Sequence, residues 1–190
     1  MRGHVRPKRA VTIPKWPVTM GRNTQLNKEV YKTAPKILIR QTADRIIAAI
    51  DYKGIWFGRS IIAMLLKPNS AYAPEYFLGI LNSKYFEYHY DTLTAESGRV
   101  FAQVKLAKVN QLPIRIINFS DSSDRTAHDR MTILVKKMLS DHERRSEAKT
   151  PHAKTVLERQ IASHETEIDK LVYMLYGLTE VDIANVESRS

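Results

Sequence analysis

The stretch KILIRQTADRIIAAID, residues 36–51, decides which architecture we expect. Its apolar residues fall into two short blocks, within KILIRQT and RIIAAID, and their β-branched side chains are typical of strands. The turn YKG and the segment IWFGRSIIAMLLK follow along the chain. We therefore expect a small sheet in this region, with Gly54 and Gly58 at turn or bulge positions.

The polar residues between the two apolar blocks have two interpretations. Arginine suits bidentate contacts with guanine, and glutamine suits bidentate contacts with adenine, so Arg40 and Gln41 could read base edges in the major groove. Alternatively, residues 40–42 could cap strand ends or pair with Asp44 and Asp51. The residues alone leave both interpretations open.

Downstream of this region the sequence predicts mainly helices. PEYFLGILNSKYFEYHY, which begins with Pro74, has apolar and aromatic residues at helical spacing. This spacing predicts one helix with Phe77, Tyr85 and Phe86 in the core, rather than an aromatic platform for bases. Residues 124–147 and 152–176 have heptad-like spacing and predict a helical hairpin, with His164 on its seam as a packed or register-setting residue.

The ends of the chain complete the expected organisation. Residues 1–35 carry four prolines among basic residues, which predicts an extended arm or irregular strands rather than helix. GRVFAQVK predicts another strand, followed by a short helical turn. Gly177 should end the second long helix, and Thr179 should cap a short final one. We expect an α+β fold: a basic arm (1–33), a mixed α/β unit with a small sheet (34–120), and a helical hairpin with a short terminal helix (124–187).

Positive charge is concentrated in the first third of the 190 residues. The net charge is +10, yet residues 1–67 hold 14 lysines and arginines against three acids, a net of +11. A clustered cationic excess favours a polyanionic partner, because neutralising phosphates releases condensed counterions. A solvated basic surface is the alternative. A membrane surface is disfavoured, since no basic amphipathic helix is visible and no apolar run could span a bilayer.

Residues with catalytic potential are sparse. The chain has no cysteine, no glycine-rich phosphate loop and no histidine pair at zinc-ligand spacing, and we expect no cofactor and no metal. The lack of cysteine also fits a cytoplasmic protein. Asp91, Gln103 and Lys105 loosely match a metal-dependent nuclease signature, but no second acid replaces the usual glutamate.

Four separated segments resemble one known family. PKILIRQTADRIIAAID, YFLGILNSKYFEYHY, GRVFAQVKLAKVNQLPI and IDKLVYMLYGLTEVDIANVE occur in the order seen in the TaqI-like C-terminal specificity domain. That domain forms the tail of many adenine-specific DNA methyltransferases and of fused restriction-modification enzymes. The resemblance spans roughly residues 34–187 and includes the ending LVYMLYGLTE.

The resemblance implies a target recognition domain over 34–120 that reads a short duplex sequence, followed by helices that dock it to a catalytic unit. The methyltransferase portion of such enzymes carries an S-adenosylmethionine glycine loop and an Asn-Pro-Pro-Tyr motif, and this sequence contains neither. We therefore expect a non-catalytic specificity module that acts with a separate methyltransferase or restriction subunit. Within the region that the resemblance indicates, we expect DNA contacts from Arg40, Gln41, Arg45 and Arg59, and contacts with phosphates from Lys53 and Arg99.

Two other hypotheses compete with DNA recognition. The helical hairpin could make the chain a protein-interaction module, or half of a homo-oligomer interface, with an incidental basic surface. A small nuclease that uses Asp91 and Lys105 is the third hypothesis, and it would require a divalent metal.

Overall fold

The computed structural model describes residues 18–22, 28–94 and 102–188, which contain four strands and seven helices. Strands β1 (Val18–Arg22), β2 (Lys36–Arg40), β3 (Ala48–Asp51) and β4 (Ile61–Leu66) form one sheet in the order β1-β4-β2-β3. Every neighbouring pair of strands is antiparallel. The expected α+β class with a small sheet is confirmed.

Strand β2 has two different faces, because side chains alternate along a strand. Ile37 and Ile39 are fully buried on the inner face, where the sheet packs against helix α2 (Pro74–Leu81). Lys36, Leu38 and Arg40 lie on the opposite side, here called the outer face. Lys36 is buried and Arg40 is exposed, so the outer face is covered at one end and open at the other.

The single helix expected from Pro74 to Tyr90 is two helices, α2 and α3 (Lys84–Thr94). The break lies at Asn82, whose side chain accepts a hydrogen bond from the Ala48 N–H and donates one to the Ala48 carbonyl, at 2.9 and 3.0 Å. Ser83 follows, and its hydroxyl donates to the Ile80 carbonyl at 2.7 Å. The prediction of one helix was wrong because Asn82 ties the helix end to β3. Phe77, Tyr85 and Phe86 are fully buried, as expected.

Two further local predictions were wrong. The arm was expected to avoid helix, yet Lys28–Lys32 forms the short helix α1. The strand expected at GRVFAQVK is absent from residues 102–105, while residues 98–101 lie outside the described part of the chain. Instead of a ladder of hydrogen bonds, the N–H of Val104 donates to the Gln41 carbonyl at 2.7 Å. The helical turn predicted after this segment is present as α4 (Leu106–Val109).

The C-terminal helical hairpin is confirmed. Helices α5 (Ser122–Glu147) and α6 (Pro151–Tyr176) pack side by side, and α7 (Glu180–Glu187) follows. Gly177 ends α6 with a left-handed backbone (φ 62°), and Thr179 forms a capping box with Asp182. The predicted seam residue His164 lies with its Nδ1 atom 3.3 Å from Asp141 Oδ2 of α5.

The hairpin and the sheet share one hydrophobic core, because α2 lies between them. At Gly79 the α2 backbone approaches α5 closely: a Cβ atom there would lie 2.4 Å from Met131 Sδ and 3.0 Å from Val135 Cγ2. The position of the hairpin relative to the sheet therefore depends on a residue without a side chain. Within the described residues, no helix combines the length and apolarity that crossing a membrane requires.

Candidate nucleic-acid interface

Backbone hydrogen bonds fix the open end of the sheet, where β2 ends and β4 begins. The N–H of Arg40 donates to the Ile47 carbonyl at 2.9 Å, and the N–H of Gln41 donates to the Ser60 carbonyl at 2.7 Å. Val104 adds its bond to the Gln41 carbonyl from a third segment. Three other segments of the chain thus bond to the backbone of residues 40 and 41 and fix its conformation.

Two of the arginines singled out from the sequence lie at this end of the sheet. Arg40 pairs in register with Ile61, so Arg59 lies only two residues from the position opposite Arg40. Both arginines are exposed. Within the described residues, the Arg40 guanidinium forms no ion pair, and the partner of Asp51 is Lys36. The alternative in which Arg40 pairs with Asp51 is therefore wrong. We call these two residues the cationic corner of the sheet.

Gln41 and Arg45 are placed differently from these two arginines. Gln41 is only 9% exposed, so its amide lies mainly within the protein rather than on the surface. Arg45 is exposed and donates from Nη1 to Glu87 Oε1 of α3 at 3.2 Å. An exposed pair of this kind is worth only about 0–1 kcal/mol, so a phosphate could replace the carboxylate at little cost.

Lys53 lies at the other end of the sheet, in the loop of residues 52–60 that connects β3 to β4. The buried carboxylate of Asp51 organises the start of this loop. Its Oδ1 accepts from the N–H groups of Lys53 and Gly54 at 2.8 and 3.0 Å, and its Oδ2 accepts from the N–H of Ile55 at 2.8 Å. The Lys53 side chain is exposed just beyond these bonds.

A buried lysine completes the network around Asp51. Lys36 Nζ lies 2.5 Å from Asp51 Oδ2, and it also donates to the carbonyls of Tyr31 and Thr33 at 2.8 and 3.0 Å. Burial alone would raise the pKa of Asp51, but the hydrogen bonds from Lys36 and from the loop N–H groups hold that pKa below its ordinary value. Asp51 is therefore a carboxylate at neutral pH, and it is bound by Lys36 and by the N–H groups of the loop.

An aromatic cluster covers this end of the outer face. The rings of Tyr31 and Trp56 are stacked, with centroids 4.4 Å apart and planes 13° apart, and Phe57 lies 4.7 Å from Tyr31. Lys36 Nζ lies 5.9 Å from the centre of the Phe57 ring. Sequence reasoning missed this cluster, because IWF was assigned to a strand. A tryptophan between two glycines was the signal that could have indicated a loop.

The remaining predicted residues contribute less to a site. Arg99 lies outside the described residues. Lys105 is exposed, and its N–H donates to the Tyr90 hydroxyl at 3.1 Å; Asp91 lies one residue further along α3. Across residues 18–22, 28–94 and 102–188, no group of three or more histidine and acidic side chains is arranged to hold a metal ion.

A cavity of about 400 Å³ lies between the loop of residues 41–47 and α6, beside Arg45. Its lining includes Lys84, Glu87 and Asp169, so the charges in it have both signs. Asp169 Oδ1 accepts from the N–H of Lys84 at 2.9 Å and so caps α3 from a different helix. Burial raises the pKa of Asp169 to about 6. This carboxyl group therefore has a structural role in joining α3 to α6.

Comparison with known proteins matches the first part of the chain to a family. The family model described as the TaqI-like C-terminal specificity domain matches residues 9–114, more than half of the chain. The match includes the whole sheet, Arg40, Arg59 and the loop of residues 52–60, and it ends before the helical hairpin. No curated protein matches the chain.

Proposed function

Because the chain belongs to the TaqI-like C-terminal specificity domain family, we propose that it recognises a short duplex DNA sequence for a separate catalytic subunit. The family supplies sequence specificity to restriction-modification systems. The catalytic subunit would be an adenine-specific methyltransferase or an associated endonuclease, acting in the cytoplasm, and this chain would carry out no catalysis of its own. The observation that carries the proposal is the cationic corner, Arg40 and Arg59, inside the matched region.

The geometry of this corner suits base recognition. A side chain that reads a base edge must be held in register by a rigid support. Arg40 ends a strand, and Gln41 beside it is bonded to two other segments through its backbone. We assign base contacts to Arg40 and Arg59, and give Gln41 the supporting role that its burial suggests. Arg45 and Lys53 would contact phosphates on either side, as would Arg99.

We propose that the helical hairpin binds the catalytic subunit. It lies outside the family match, and its helices leave Ile133 and Met174 exposed. These exposed apolar side chains, and the position of the hairpin outside the family match, are the support for assigning it to a protein partner rather than to DNA. The hypothesis of a protein-interaction module is compatible with this assignment, because the hairpin can bind a protein while the sheet binds DNA. The same surface could instead join two copies of the chain.

Selection of duplexes from a random pool would test the proposal. The chain would first be co-purified with a methyltransferase subunit encoded beside it, and the complex would then be used for selection. We expect one short motif to be enriched by the complex, and the motif to be lost when Arg40→Ala and Arg59→Ala are combined. Enrichment of the same motif by the methyltransferase subunit alone would contradict the proposal.

A further inference from the structure

The loop of residues 52–60 exposes large apolar side chains on a cationic segment. Tyr52 and Ile55 are about half exposed, and Trp56 is 65% exposed. The loop also contains Lys53 and Arg59 and no acidic residue. Exposed aromatic residues among positive charges are the combination with which proteins bind nucleic-acid bases and backbone together.

Trp56 is held in position before any partner arrives. The three N–H groups bonded by Asp51 precede it directly, and one face of its indole ring rests on Tyr31. Gly54 has a left-handed backbone (φ 74°), which turns the chain toward α1. A ring held in this way loses little conformational entropy on binding, so the free energy of a new contact is largely retained.

Trp56 also lies on the same side of the sheet as Arg40. Its neighbour Phe57 contacts Lys36, and Lys36 and Arg40 are on the outer face of β2. Arg40 lies four positions further along the strand than Lys36, which corresponds to about 13 Å. A ligand lying along the outer face could therefore touch the aromatic cluster and the cationic corner at once.

We infer that Trp56 stacks on a DNA base, inserting at a step where the duplex has been partly unstacked. This inference rests on the proposed function and adds a second kind of contact to it. Proteins that deform DNA insert apolar side chains between bases in this way, and aromatic stacking is tolerant of sequence. We choose DNA rather than a protein as the partner of Trp56, because the loop of residues 52–60 carries two cations and no anion.

Duplexes that contain 2-aminopurine opposite an abasic site provide the test, since the emission of this base falls when an aromatic ring stacks on it. We expect the full chain to bind this duplex more tightly than a fully paired one and to quench its emission. Trp56→Ala should remove the quenching and weaken binding by roughly 10- to 100-fold. Trp56→Phe should retain part of both effects. Val181→Ala, which removes an exposed apolar side chain from α7, is the matched control and should behave as the wild type.

The outcomes separate this inference from the proposed function. If Arg40→Ala weakens binding while Trp56→Ala does not, the chain is a DNA-binding module and the stacking inference is wrong. If Trp56→Ala leaves DNA binding intact but prevents co-purification with the methyltransferase subunit, the loop binds protein and the inference is also wrong. If the wild-type chain binds neither duplex, both proposals fail together.

Discussion

The ammonium group of Lys36 and the carboxylate of Asp51 lie 2.5 Å apart, and both side chains are almost completely buried. They come from paired positions on β2 and β3. Because Asp51 also binds three consecutive N–H groups of the following loop, this ion pair connects the sheet to the segment that displays Lys53 and Trp56. The conformation of the loop that we assign to the DNA surface therefore depends on an ion pair that is buried inside the protein.

Removing one member of this pair should be costly. We expect Asp51→Ala to lower the free energy of unfolding by about 3–5 kcal/mol, since it leaves Lys36 as an uncompensated buried charge. Combining Lys36→Met with Asp51→Leu should cost less than Asp51→Ala alone, because no charge then remains buried. Urea unfolding measures both effects. A loss below about 1 kcal/mol for Asp51→Ala would show that water solvates Lys36.

Acid should weaken the same interaction. The folded-state pKa of Asp51 is depressed below its ordinary value of 3.8, so its contribution is present above that pH and is lost as the pH falls through the folded-state pKa. We expect the stability difference between the wild type and Asp51→Asn to shrink below pH 4. Urea midpoints from pH 3 to pH 7 measure this difference. A difference that stays constant over that range would contradict the assignment.

Two glycines of the same loop provide a matched comparison. Gly54 has a φ of 74°, and a Cβ atom there would lie 3.0 Å from the Lys32 carbonyl oxygen, whereas a Cβ atom at Gly58 would meet nothing within 4 Å. We expect Gly54→Ala to destabilise the protein by about 1–2 kcal/mol. Gly58→Ala should change stability by less than about 0.5 kcal/mol. Equal effects in thermal unfolding would contradict the loop conformation.

Asp169 should give stability the opposite pH dependence. Its folded-state pKa of about 6 exceeds the ordinary value of 3.8, so the folded protein binds the extra proton and stability falls as the pH rises from about 4 to 6. Asparagine keeps the acceptor for the Lys84 N–H and cannot ionise. We expect Asp169→Asn to be more stable than the wild type at pH 7, on the order of 1 kcal/mol, with a flatter profile between pH 4 and 6.

Asp169→Ala is the control for this prediction. It removes the acceptor as well as the charge, so it should lower stability at or just below pH 4, where Asp169→Asn should differ little from the wild type. If Asp169→Asn is less stable than the wild type at pH 7, the buried carboxylate has a compensating partner and the prediction is wrong.

The sequence predicted those strands, helices and helix ends that are determined by residues close together in the chain. The strands around Ile37 and Ala48, the two hairpin helices, the helix end at Gly177 and the cap at Thr179 each depend on nearby residues. The break at Asn82 could not be predicted in this way, because its reason is a pair of hydrogen bonds to Ala48, 34 residues away.

The candidate surface was predictable only in outline. The excess of positive charge and the resemblance indicated a region that the family match includes, and Arg40 and Arg59 are both exposed in it. The pairing of Arg45 with Glu87 joins residues 42 positions apart, and the segments bonded to Gln41 come from Ser60 and Val104, so neither placement follows from neighbouring residues. The role of Asp51 was missed for the same kind of reason, since its partner Lys36 becomes adjacent only when β2 and β3 pair.

The salt dependence of duplex binding tests the central claim most directly. Three forms of the chain would be compared: the wild type, the double variant Arg45→Ala with Lys53→Ala in the loops that follow β2 and β3 (the sheet variant), and the charge-matched control Lys154→Ala with Arg159→Ala on α6 (the hairpin variant). Each phosphate contact contributes about 0.9 to the slope of log affinity against log salt concentration. We expect the sheet variant to bind more weakly, with a slope reduced by up to about 2, and the hairpin variant to match the wild type. Equal affinities and slopes for all three forms would contradict the assignment of DNA binding to the sheet and its loops.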